Sequence, residues 1–278
     1  MGKINDIKVD WTSDEGKYWL GFIMADGCLY RYPHARNKSC LYVAQSNKDG
    51  YVMEELKTFL GWFGSVSNHN GVTHYRLGSF IVCDQLQELG IMPRKSGKEI
   101  VPKGCSDSSH FWRGMVDGDG CVSITSKNRI VFNLVGSEEI CNGLLTFIKN
   151  RGVSVKSEVH PIRLRNGRTV QIYSIVSSDR VALAALAVVY PERLPYGLQR
   201  KFDVYKNYSP PFVVADSWQG FSERLLSFFQ WVEEKYPDKE IKRVVRSSFW
   251  EYHRLGGEID DRYLEGRGSV RAQSGVDY

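Results

Sequence analysis

The segment YWLGFIMADGCL, Tyr18 to Leu29, has a counterpart further along the chain in HFWRGMVDGDGCVSI, His110 to Ile124. Laid one over the other, Gly21 falls on Gly114, Ile23 on Val116, Asp26 on Asp119, Gly27 on Gly120 and Cys28 on Cys121. An internal repeat confines a chain to a duplicated architecture, because each copy must build the same unit and bury its apolar face against a neighbour. The segments after each copy also agree in order. A hairpin pattern comes first, CLYRYPHARNKSCLYVAQS against CVSITSKNRIVFNLVGS, then a helical pattern, DGYVMEELKTFLGWFG against SEEICNGLLTFIKNRG. A second hairpin comes next, with Asn70-Gly71 and Asn166-Gly167 as turn signals, and then a closing helix, FIVCDQLQELG against SDRVALAALAVVY. The expected unit is αββαββα, twice, over roughly residues 11–207.

Both opening helices carry start signals: Thr12-x-x-Glu15 has capping-box form, and Ser106 with Asp107 precedes the second. Gly27 and Gly120 suit the left-handed position that often ends a helix. Gly21 and Ala25 in one helix, Gly114 and Gly118 in the other, place small residues four apart, which lets two backbones approach closely. If the helices pack there, Asp26 and Asp119 emerge side by side at C-terminal ends that already carry partial negative charge. Two such carboxylates repel unless one is protonated or a divalent cation lies between them, so the pattern points to metal.

The totals are compatible with an intracellular, nucleic-acid-binding chain without demanding one. The 278 residues carry a net charge of +5, 42% hydrophobic and 13% aromatic content, enough for a substantial core and a mild basic excess. No apolar run approaches the roughly 18 residues a membrane span needs, and MGKINDIKVDW lacks the apolar centre of a secretory signal. The six cysteines show no CxxC pair or metal-ligand spacing and read as free, mostly buried thiols of a reducing compartment.

WLGFIMADG and WRGMVDGDG resemble the two signature motifs of a monomeric LAGLIDADG homing endonuclease, and LGIMPRKSGKEIVP resembles that family's linker into its second motif. The resemblance covers about the first 207 residues. It implies an α+β fold of two αββαββα repeats related by a pseudo-twofold axis, with a saddle of antiparallel strands over duplex DNA. The domains expected are 1–104, 105–209, and a linker with a helical C-terminal extension over 210–278. The implied activity is site-specific endonucleolytic hydrolysis of both strands of a long, partly asymmetric target by a monomer. Mg2+ is the implied cofactor, with Mn2+ substituting and Ca2+ supporting binding without efficient turnover. Asp26 and Asp119 are the implied metal-holding acids, with the carbonyls of Ala25 and Gly118 as further oxygen ligands. Met24 replaces the acid common at the sixth motif position, which Asp117 keeps; that position is not a metal ligand in the family. Gln45 matches a residue that organises water around the metals, while its counterpart Gly136 cannot. Lys95 and Lys201 match the basic residues that approach the hydrolytic water and phosphates.

Strand alternation assigns the DNA face. With Leu29, Leu41, Val43, Tyr75 and Leu77 inward, Tyr30, Tyr32, His34, Ser46, His74 and Arg76 face the groove. The same parity in the second half gives Ser123, Thr125, Lys127, Asn133, Ser154, Lys156 and Glu158. Arg163, Arg165 and Arg168 on one hairpin, and Arg36 and Lys38 on another, suit phosphate or guanine. The tail reads as a Pro210-Pro211 linker and two aromatic-faced helices, the second carrying Lys242, Arg243, Arg246 and Arg254. The competing reading is a nucleic-acid-binding protein on the same fold with reduced catalysis, such as an intron maturase or a transcription regulator; survival of both acids favours the nuclease.

Overall fold

The computed structural model describes residues 9–31, 39–153, 155, 157–163 and 169–208. Helix α1 (Asp14–Asp26) leads into strands β1 (Gly27–Arg31) and β2 (Ser39–Ser46), helix α2 (Tyr51–Phe59), strands β3 (Ser65–His69) and β4 (Val72–Gly78), and helix α3 (Phe80–Glu88). The same order returns in α4 (Ser109–Asp119), β5 (Gly120–Ile124), β6 (Ile130–Gly136), α5 (Glu138–Asn150), β7 (Ser157–Arg163), β8 (Thr169–Ser178) and α6 (Asp179–Val189). The fold is α+β, with two antiparallel four-stranded sheets of matching order, β1-β2-β4-β3 and β5-β6-β8-β7. Gly27 pairs with Val43 and Gly120 with Leu134, so Gln45 and Gly136 occupy equivalent places in the two sheets. Helix α7 (Gln199–Lys206) comes after the second unit, where the repeat pattern had no element to offer. The tail beyond Tyr208, with its two expected helices, lies outside the described residues.

Burial follows the strand parity. Leu29, Leu41, Val43, Tyr75 and Leu77 are buried in the first sheet, as are Val122, Phe132, Leu134 and Ile175 in the second. The turn between β3 and β4 has Asn70 and Gly71 both at positive φ, 49° and 78°, the geometry whose twist matches a two-residue hairpin. All six cysteines are free; Cys40, Cys83, Cys105 and Cys141 are buried, while Cys28 and Cys121 are exposed just past the two acids. Among the described residues no helix is long and apolar enough to cross a membrane.

The helix ends depart from the sequence expectation. Ser13, not Thr12, caps α1, its hydroxyl accepting from Gly16 N at 3.0 Å. The Asp10 carboxylate takes both the Thr12 N–H and its hydroxyl, so that side chain is already committed. Ser108 caps α4; Asp107 instead accepts from Arg151 at 2.9 Å, and the Ser106 carbonyl accepts from Trp112. At the other end Gly27 and Gly120 are not left-handed: φ is −80° and −83°, extended. Each helix passes directly into its strand, and a Cβ would lie 2.5 Å from the carbonyl oxygen of Ile23 or Val116. Close approach, not handedness, is what glycine provides there.

Candidate active site and nucleic-acid interface

Helices α1 and α4 pack backbone to backbone. A methyl on Gly21 would overlap the Phe111 carbonyl and stand 3.0 Å from Met115 N. One on Gly114 would overlap the Tyr18 carbonyl and stand 2.8 Å from Phe22 N. One on Gly118 would overlap Ala25 Cβ and lie 3.1 Å from Asp26 Oδ2. The carboxylate that ends α1 therefore lies against the last turn of α4, and Asp119 comes next on that turn.

The electrostatics record this crowding. Burial raises the Asp26 pKa to about 6, and the facing Asp119 adds to the rise; Lys201, Lys95 and a hydrogen bond from Gln45 oppose it. Asp119 is shifted the same way by burial, Lys95 and Lys201 opposing and Glu99 reinforcing. Gln45 reaches the site because it shares the parity of Val43, on the helix-facing side of β2, and its Nε2 donates to Asp26 Oδ2. Gly136 presents no side chain at the matching place.

Lys95 and Lys201 are brought to the site, but on its inner side. Lys95 is 8% exposed and donates to the Ala25 carbonyl at 2.8 Å. Lys201, 5% exposed on α7, donates to the carbonyls of Val116, Asp117 and Gly120 at 2.8, 2.7 and 2.6 Å, with Gly118 at 3.4 Å. Three ammonium protons cannot serve more, so Lys201 here caps the negative end of α4 and is not aimed at a water or phosphate. Burial lowers its pKa, while Asp117 and Asp26 pull it back up. The Ala25 carbonyl, expected to face a metal, already accepts one hydrogen bond and keeps one lone pair.

Asp117 is fully buried, accepting from Tyr18 at 2.9 Å and Tyr190 at 2.6 Å, with Arg113 Nε 3.8 Å away. Arg113 lies over the rings of Tyr190 and Phe202 and donates to the Glu192 carbonyl. This network ties α1, α4 and the segment after α6 together beneath the acids. Met24 fills the equivalent place in α1, fully buried.

The donors fit a hard divalent cation. Asp26 and Asp119 offer carboxylate oxygens, their raised pKa values reflect a charge cost that a dication would relieve, and Asp119 accepts no hydrogen bond among the described residues. Two carboxylates are enough for a small hard dication, which characteristically takes one or two of them and completes its shell with water and substrate phosphate.

The outer face of the first sheet carries Tyr30, Ser46, His74 and Arg76, with His74 half-buried and the other three exposed. It also carries Tyr42, 38% exposed, whose hydroxyl bonds His74 Nδ1 and whose ring stacks on the imidazole, together with Ser67 and His69 of β3. Tyr42 is absent from the expected set, although the alternation around Leu41 and Val43 marks it. In the second sheet Ser123 and Asn133 share the outer face with Cys121, exposed Val135 and exposed Val176. Thr125 and Lys127 are exposed but belong to the β5–β6 turn, because β5 ends at Ile124. Glu158 and Arg163 fall on β7, opposite Ser174 and Thr169. Tyr32, His34, Arg36, Lys38, Ser154, Lys156, Arg165 and Arg168 lie outside the described residues.

An α+β protein with two duplicated units and paired carboxylates at one helix junction is the class these features define. No known family's sequence profile matches the chain, and no curated protein matches it. Solved structures do. I-DmoI in complex with DNA and Mn is 14% identical, covering 66% of this chain and 99% of that one, with a TM-score of 0.45. The LAGLIDADG meganuclease I-AabMI bound to uncleaved DNA is 14% identical over 76% and 91% of the two chains, TM-score 0.44. The LAGLIDADG homing endonuclease I-GzeII in complex with its DNA target is 12% identical over 87% and 97%, TM-score 0.41.

Proposed function

We propose that this chain is a site-specific, divalent-metal-dependent DNA endonuclease of the LAGLIDADG homing type, acting as a monomer on both strands of a long, partly asymmetric duplex. The observation that carries the reading is the meeting of Asp26 and Asp119 at the ends of two helices packed so closely that glycine is obligatory between them. A fold gains nothing from placing two carboxylates there, and each bears a raised pKa for it.

Phosphodiester hydrolysis needs a water in line with the scissile bond, neutralised charge on the phosphoryl oxygens and a stabilised leaving oxygen. Asp26 and Asp119 would hold a magnesium ion, which would supply Lewis acidity at the phosphate. Gln45 fixes the rotamer of Asp26 by donating to it. Lys95 and Lys201 neutralise the carbonyl-rich helix ends and oppose the rise that burial imposes on the pKa of both acids. Tyr30, Tyr42, His74 and Arg76 face the groove from one sheet, Ser123 and Asn133 from the other. The outer-face Arg and His present hydrogen-bonding groups suited to base edges.

The test is selection from a randomised duplex library with magnesium, sequencing the cut ends. Asp26→Asn and Asp119→Asn should lose double-strand cleavage yet bind DNA within about tenfold of the parent, since groove contacts are untouched. Manganese should substitute, and calcium should support binding without efficient turnover. Robust cutting by either variant, or undiminished activity in excess chelator, removes the reading.

A further inference from the structure

The two acids are not equally supported. Asp26 has Gln45; the equivalent place beside Asp119 is Gly136, where an added Cβ would meet only Ile140, at 3.3 Å. A different chain segment occupies this neighbourhood. Ser137, directly after Gly136 and the cap of α5, donates its hydroxyl to the Glu99 carbonyl at 2.6 Å. Glu99 belongs to the loop that delivers Lys95 to the end of α1, and its Oε1 accepts from Gly97 N at 3.0 Å. The side chain is only 8% exposed, and Oε2 is buried without any hydrogen-bond partner among the described residues. A buried carboxylate oxygen left unpaired is costly, and one that persists calls for a missing donor. The field of Glu99 also reaches Asp119, adding to the rise of its pKa.

We propose that Glu99 does for the Asp119 half what Gln45 does for the Asp26 half: its Oε2 accepts a hydrogen bond from a water held at the Asp119 carboxylate and orients it. The inference rests on the nuclease reading for its purpose, but not for its test. Glu99 is then a positioning residue, supplied by the loop between the units because Gly136 cannot supply one. The second site is complete by a different route.

Outer carboxylates of this kind typically change metal affinity or activity by about 10–100-fold when removed. Glu99→Gln keeps the volume and an oxygen for Gly97 N–H while removing the charge. In DNA-free protein, the magnesium concentration giving half the maximal rise in melting temperature should increase by about tenfold or more. Adding Gly136→Gln to that variant should recover much of the loss, which a merely structural role for Glu99 would not permit. With strand-labelled duplex, Glu99→Gln and Gln45→Ala should slow cleavage of opposite strands. Should Glu99→Gln not fold, Glu99→Asp, which keeps the charge but withdraws its reach, should show the same shift. A folded variant that takes up magnesium like the parent overturns the proposal. If no duplex is cut by the parent but magnesium uptake still weakens, the nuclease reading fails and the assignment of Glu99 stands.

Discussion

Ionised Asp26 is costly to the metal-free protein, and its neighbours offset only part of the cost. Its carboxyl is half-buried against the last turn of α4, and its pKa rises from 3.8 to about 6. The sign of the consequence is fixed by linkage. The folded state holds the Asp26 proton more tightly than the unfolded chain does, so stability falls as pH climbs from about 4 to about 6 and stays low above that. Asp119 is displaced in the same direction and adds to the trend. The metal-free protein should therefore melt higher at pH 5 than at pH 7.5, with Asp26 contributing on the order of 1 kcal/mol over that interval. Asp26→Asn should shrink that difference, and saturating magnesium should flatten it by relieving the charge. A parent whose melting temperature rises between pH 5 and 7.5 would contradict the crowded-carboxylate geometry.

The close contact of α1 and α4 governs the next scale. Gly114→Val forces a side chain into the Tyr18 carbonyl, where backbone, not a mobile side chain, must yield. Overpacking of this kind costs about 1–3 kcal/mol and here also moves Asp119 away from Asp26. Cleavage should drop more than DNA binding. Gly78 has nothing within 4 Å and no positive φ, but it shares the outer face of β4 with His74 and Arg76, so Gly78→Val is a control for melting temperature and not for DNA contact; Gly71 is just as open but sits at φ +78°, where valine is strained whatever the space. Melting temperatures of Gly114→Val and Gly78→Val, with binding and cleavage of Gly114→Val compared with the parent, would separate the two effects. A Gly114→Val protein that melts, binds and cuts like the parent would mean the helices tolerate separation and the acids need not meet.

For the molecule as a whole, duplication produces likeness without identity. The first outer face is aromatic and polar, with Tyr30, Tyr42, His74 and Arg76; the described part of the second carries Val135 and Val176 beside Ser123 and Asn133. Two different surfaces cannot read the same bases, so the preferred target of one protein molecule should be asymmetric between its halves. Arg76→Ala should cost about 1–3 kcal/mol and relax selectivity within one half-site only. A strictly palindromic optimum bound by two copies would refute a monomer with unlike faces. Sedimentation of the bound complex alongside target selection decides between them.

The amino-acid sequence by itself determined the repeat, the order of helices and strands, the inward set of each sheet and the position of the acids. These are encoded in neighbouring residues: the spacing of apolar positions, the Asn70-Gly71 turn and small residues one helical turn apart, while the Asn166-Gly167 turn lies outside the described residues. Even there, caps slipped by a residue or two, because Asp10 competed for Thr12 and Arg151 for Asp107. Only the tertiary structure decided that Lys201 spends its protons on the main chain of α4, that Gly27 and Gly120 serve close packing in extended geometry, and that Glu99 stands beside Gly136. Each of those facts joins groups far apart in the chain. No local pattern specifies which carbonyl a long side chain will reach; the packing of whole elements does.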